Sequence, residues 1–135
     1  MITGELKQRI DALWQEFWTG GITNPLTVIE QITYLMFARL LDIHETRDEN
    51  RQLRSGRAFK KRYVAMQQHL RWSQFRNLGG ENMLPLVRDA AFPHLRLASA
   101  SGASSAEFMK DAQLMIQKAS LLVNAVEMVH QLPLT

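Results

Sequence analysis

Chemistry-bearing side chains concentrate between residues 47 and 76, where nine are Lys or Arg and two are acidic. Arg47, Arg51 and Arg54 recur at helical spacing and form one ridge. Arg57, Lys60, Lys61 and Arg62 follow, with Phe59 and Tyr63 interleaved, and Arg71 lies further along the same section. Long cationic donors suit phosphate oxygens, and arginine adds a forked, bidentate geometry. Non-specific affinity for double-stranded DNA comes largely from such contacts, through counterion release. These basic residues are therefore the candidate DNA-binding set. A solvated loop, or a surface that meets an acidic protein, is the competing reading of the same charges.

Catalytic constellations are missing from the sequence. It has no Gly-rich phosphate loop, no G-x-S-x-G and no H-E-x-x-H. Without cysteine it has no disulfide, no thiolate metal site and no cysteine nucleophile. His44, His69, His94 and His130 are scattered without metal-ligand spacing and read as surface or capping residues. Glu30 stands out on an otherwise apolar stretch; it reads as a partner for Arg39 or a backbone group, with a buried acid of shifted pKa as the sharper alternative. No metal, cofactor or catalytic residue is expected in this chain.

The basic section owes its prominence to its neighbours. Residues 1–46 carry three basic and six acidic side chains, and residues 77–135 carry four and five, so the net charge of +3 comes from the middle. The length of 135 residues fits one domain, and 46% hydrophobic residues exclude a wholly disordered chain. No apolar run approaches the roughly 18 residues of a membrane span, and no signal peptide opens the chain. A cytoplasmic location is the expectation.

The elements that must position the basic section are helical. Leu6, Ile10, Leu13, Trp14, Phe17 and Trp18 trace one face of a first helix, with Thr3 as its N-cap and Gly20-Gly21 as its end, and Trp14, Phe17 and Trp18 are read as core rather than as a base-stacking platform. Asn24-Pro25 starts a second helix, since Asn caps free N–H groups and Pro fits the first helical position. Val28, Ile29, Ile32, Leu35, Met36, Phe37, Leu40, Leu41 and Ile43 cover more than one face, which predicts a central core helix reaching to about residue 53. Residues 51–71 read as a basic, partly irregular connector with a break at Ser55-Gly56, and Trp72-Ser73-Gln74-Phe75 as a short helical return to the core. Gly79-Gly80 marks another break. Asn82 is expected to cap a helix with Pro85 in its first turn, ended or kinked at Pro93. A flexible loop over 98–105 and a short helix near 105–112 precede a last helix from about Lys118 to Leu132, with Leu122, Ala125, Val126 and Val129 on one face. No alternating strand of convincing length is visible. The fold class is all-α, a small multi-helix bundle with a basic connector.

An ordered set of motifs resembles a known family. Leu13-Trp14, Phe17-Trp18, Gly20-Gly21 and Asn24-Pro25 resemble the start of type I restriction–modification methyltransferase subunits. The run from Glu30 to Asp42, Leu70-Arg71-Trp72 with Phe75, the Val87…Phe92-Pro93 segment and Met109-Lys110-Asp111-Ala112 extend the likeness over nearly the whole chain. The resemblance implies that residues 1–135 are the single helical N-terminal domain of the modification subunit, HsdM. In that family a larger domain follows, binds S-adenosylmethionine and methylates adenine N6 in DNA. Its Gly-containing cofactor motif and Asn-Pro-Pro-Phe or -Tyr motif are both missing here, so this chain alone is not expected to be catalytic. The implied partners are double-stranded DNA, a specificity subunit, a second modification subunit and a restriction subunit. A stand-alone helical module for protein interaction or self-association is the alternative, and a small independent enzyme is the least supported reading.

Overall fold

The computed structural model describes residues 4–98 and 109–134. Among them every regular element is helical: α1 (Gly4–Thr19), α2 (Pro25–Ser55), a 3-10 turn (Ala65–Leu70), α3 (Trp72–Phe75), α4 (Gly80–Leu86), a π-helical turn (Val87–Ala91), α5 (Phe92–Ala98) and α6 (Ala119–His130). The expected Thr3 cap, nearly all of the loop expected over 98–105 and the first part of the short helix expected near 105–112 lie outside the described residues, and of that helix's described part only residue 109 is helical.

Helix α1 closes as its glycines predict. Gly21 adopts φ +99°, and the N–H groups of Gly21 and Ile22 bond back to the carbonyls of Trp18 and Phe17, a Schellman arrangement. Gly20 serves a different purpose: a Cβ there would stand 2.7 Å from the Leu121 side chain, so its absence lets the end of α1 close on α6. Leu13 and Phe17 are fully buried and Trp14 packs partly against the core. Trp18, expected in the core, is 49% exposed; its position falls beyond the edge of the buried stripe.

Asn24 caps α2 with its side-chain oxygen, accepting from the N–H of Leu26 at 2.9 Å and Thr27 at 3.4 Å. The helix runs 31 residues, two beyond the expected end, and stops where Gly56 turns left-handed at φ 72°. The expected all-round burial of α2 is narrowed by its burial pattern. One face, through Val28, Ile32, Leu35 and Ala38, is core, whereas Leu26 and Ile29 are exposed and Met36, Phe37, Leu40, Leu41 and Ile43 are only partly covered. Helix α2 nonetheless packs against α1, α3 and α6, and α6 against α1, α2 and α4, burying Leu121, Leu122, Ala125, Val126 and Val129.

Helix α4 begins three residues earlier than expected, with Gly79 rather than Asn82 as its cap and with Pro85 inside it. Gly80 admits this start, because a Cβ there would lie 2.9 Å from the Ala119 Cβ. The chain then widens into the π turn, where the Phe92 N–H bonds to the Val87 carbonyl, and passes Pro93 without leaving the helix. Pro93 thus sits next to a local change of helical register rather than an end.

Residues 113–117 are extended, an element absent from the expected outline. Ala112, Leu114 and Ile116 are buried while Gln113, Met115 and Gln117 face outward. The segment is tied to α2 by buried Gln31, whose amide donates to the Gln113 carbonyl at 2.8 Å and accepts from the Met115 N–H at 2.9 Å. Arg39 ties α2 to α6 by donating to the Val129 and Leu132 carbonyls at 2.9 and 2.6 Å, which satisfies the open end of that helix.

Candidate nucleic-acid interface

The outward face of α2 continues past its apolar half as Arg47, Arg51 and Arg54, all exposed. Spacings of four and three residues keep them on one side of the helix. Arg51 approaches Asp48 only to 4.0 Å, which leaves its guanidinium largely free in solvent. Beyond Gly56 the chain doubles back beside the helix. Arg57, Ala58, Lys60 and Lys61 are exposed, and Phe59 is partly covered. Ridge and arm both lie toward the C-terminal end of α2, the arm on the side that carries Glu45 and Glu49 and the ridge on a different side of the helix, and Lys61 borders an open depression also lined by Glu49, Asn50, Gln52 and Leu53.

The remaining two candidates are used differently. Arg62 is partly buried, with one guanidinium nitrogen donating to Asp48 at 2.8 Å and to Glu45 at 3.2 Å. The Arg62 hydrogen bond holds the Asp48 carboxyl below its ordinary range. Arg71 is withdrawn from the surface altogether, with its side chain 8% exposed. It donates to Asp42, to both oxygens of Glu49 at 2.9 and 3.1 Å, to Thr46 at 2.9 Å and to Gln68 at 3.1 Å. Burial disfavours the Arg71 charge, but bonds to Glu49 and Asp42 outweigh that penalty and raise its pKa. Arg71 thus fastens the 3-10 turn and α3 to α2, and has its forked donors occupied by the protein itself.

The acceptors in this network were missed in reading the sequence. Asp42, Glu45 and Glu49 stand at i, i+3 and i+7 on α2, which places them on one face. That spacing, continuing the buried line of Gln31 and Ala38, was the available signal. Asp42 also accepts from the Ser73 N–H at 2.9 Å, close to the start of α3. Glu45 is fully buried and accepts from the N–H groups of Arg62 and Tyr63. Glu30, by contrast, is only partly covered, and Arg39 turns instead to the end of α6.

His94 departs from the surface or capping role expected of it. It is 8% exposed, its ring lies 4.7 Å from the Tyr63 ring at 31°, and Nε2 is enclosed without a hydrogen-bond partner. Burial lowers its pKa, against a hydrogen bond to the Arg62 backbone and the charge of Glu45. Burial, together with Arg47 and Arg62, likewise lowers His44. Among the described residues no cluster of His, Cys, Asp or Glu could hold a metal ion, and no helix is long and apolar enough to cross a membrane.

The family description "HsdM N-terminal domain" matches residues 6–129. No curated protein and no solved structure was found to match the chain.

Proposed function

The chain belongs to the HsdM N-terminal domain family, helical domains of type I restriction–modification methyltransferase subunits, and on that premise we propose that it clamps DNA and contacts partner subunits. The observation that carries the DNA half is the exposure of Arg47, Arg51, Arg54, Arg57, Lys60 and Lys61 around the C-terminal part of α2 without close carboxylate pairing, whereas Arg62 and Arg71 are paired internally. Contacts of this kind read phosphates rather than bases, so the domain grips duplex DNA without selecting its sequence. Selection falls to the specificity subunit. The full-length subunit methylates adenine N6 using S-adenosylmethionine held in its following domain, and works in the cytoplasm beside a second modification subunit and a restriction subunit.

A fluorescence anisotropy titration of duplex DNA against salt tests this reading. Each phosphate contact contributes about 0.9 to the slope of log affinity against log salt. Replacing Arg57, Lys60 and Lys61 by Ala should therefore lower the slope by up to about three such contributions while leaving the helical content intact. An unchanged slope overturns the assignment to these residues.

Subunit contact is supported by the other half of the same α2 face. Leu26, Ile29, Thr33, Met36, Leu40 and Ile43 alternate by three and four residues, the spacing of a helix-packing seam, with Leu26 67% and Ile29 49% exposed. A stand-alone self-associating module is the second reading this stripe favours. Sedimentation at rising concentration separates the two: a mass that stays monomeric counts against self-association and leaves the seam to other subunits.

A further inference from the structure

The basic arm is tied at both ends. At Gly56 the left-handed turn closes α2, with the Gly56 N–H bonded to the Gln52 carbonyl at 2.8 Å. At the other end the Glu45 carboxylate gathers the Arg62 N–H at 3.0 Å, the Tyr63 N–H at 3.2 Å and the Arg62 guanidinium at 3.2 Å. The Tyr63 ring, 3% exposed, packs against His94, and the Arg71 guanidinium lies 5.8 Å from its centre. Glu45 and Gly56 are eleven positions apart, about 16 Å along a helix axis at 1.5 Å per residue. The six steps from Gly56 to Arg62 reach at most about 21 Å when fully extended. The tether therefore has little slack.

From this arrangement we infer that Glu45 is a positioning residue, clasping Arg62 and Tyr63 so that Arg57, Lys60 and Lys61 follow a set path beside α2 before any phosphate arrives. The inference rests on the reading of this arm as a DNA contact and adds how the arm is prepared for it. It also separates two opposed expectations. Glu45 is an anion beside a phosphate-binding surface, so on charge alone its removal strengthens DNA binding. If it positions the arm, its removal weakens binding although the net charge becomes more positive. Ordering a long side chain on binding costs about 0.5–1.5 kcal/mol, so losing the preset arm lowers affinity about three- to tenfold.

The test joins two measurements on the 135-residue chain. Heteronuclear NOE values for the amides of residues 57–61, without DNA, should match those of α2. Glu45→Gln should lower these values and weaken duplex DNA binding by about three- to tenfold, with helicity near wild type and a lowered melting temperature, since the amide N–H would face a backbone donor. Mobile arm amides in the wild-type chain, or a Glu45→Gln variant that binds equally or more tightly, overturn the inference. Should Glu45→Gln fail to fold, the wild-type relaxation data decide alone. A wild-type chain without salt-dependent DNA affinity removes the DNA reading, while the relaxation data still judge the clasp.

Discussion

The Trp72 indole donates its Nε1–H to Nδ1 of His130 at 3.1 Å, joining α3 to the last residue of α6. The bond requires a neutral acceptor nitrogen, and so assigns the imidazole proton to Nε2. Burial lowers the His130 pKa, and the nearby charges of Arg76 and Arg39 lower it further.

Acid should therefore loosen this end of the bundle. A histidine whose folded pKa is depressed adds stability above its unfolded value, near 6.5, and that stability is lost as pH falls toward the folded value. His130, His94 and His44 all shift in this direction. Melting temperature should drop on going from neutral pH to about pH 5. His130→Asn, which retains an acceptor and does not titrate, should flatten the drop, with the Trp72 indole proton resonance as the local reporter. An indole signal insensitive to pH across this range contradicts the assignment.

Gln31 links α2 to the extended segment through one donated and one accepted bond. Gln31→Ala leaves the Gln113 carbonyl and Met115 N–H without that partner and should cost about 1–3 kcal/mol in urea unfolding. Gln31→Glu should cost at least as much, because a carboxylate faces the Gln113 carbonyl with no N–H to give. Equal stability of wild type and Gln31→Glu would mean that the segment is held by its apolar side chains alone.

Arg71 and Arg54 should separate structure from binding. Arg71→Ala leaves Asp42, 5% exposed, short of its guanidinium partner, and loss of one member of a buried pair costs about 3–5 kcal/mol. Arg54 is exposed in the last turn of α2, so Arg54→Ala should change stability by less than about 0.5 kcal/mol while reducing the salt slope of DNA binding. Chemical denaturation and anisotropy on the two variants give the comparison. The reverse pattern would place the phosphate contact at Arg71.

Gly80 should resist substitution for a reason unrelated to turn geometry. An added Cβ would meet the Ala119 Cβ at 2.9 Å, so Gly80→Ala must push α4 away from the start of α6. Overpacking of this kind costs about 1–3 kcal/mol. The paired change Gly80→Ala with Ala119→Gly should recover much of the loss, and a double-mutant cycle measures it.

Much of the secondary structure was legible in local sequence, because its signals act within a few residues. Asn24-Pro25 starts α2 through capping and a preset φ, and Gly21 and Gly56 end helices because a left-handed backbone suits glycine. The apolar spacing of Leu122, Ala125, Val126 and Val129 likewise marks the buried face of α6. The concentration of positive charge was plain from residue types, and an ordered set of motifs pointed to the family that the chain matches over residues 6–129.

Partnerships between distant residues were decided only by the tertiary structure. A basic side chain looks the same in sequence whether it faces water or a buried carboxylate. Only the fold brings Arg71 to Asp42 and Glu49, twenty-nine and twenty-two positions away, while leaving Arg47, Arg51 and Arg54 outside. The covered face of α2 was similarly undetermined by its own pattern, because apolar residues encircle it and only the placement of its neighbours selects the buried side. Residues 113–117 stayed unrecognised since their conformation depends on the side chain of Gln31, more than eighty positions away, rather than on any local preference. Local sequence determines where helices start and stop, whereas desolvation and long-range pairing determine which charges remain for a partner.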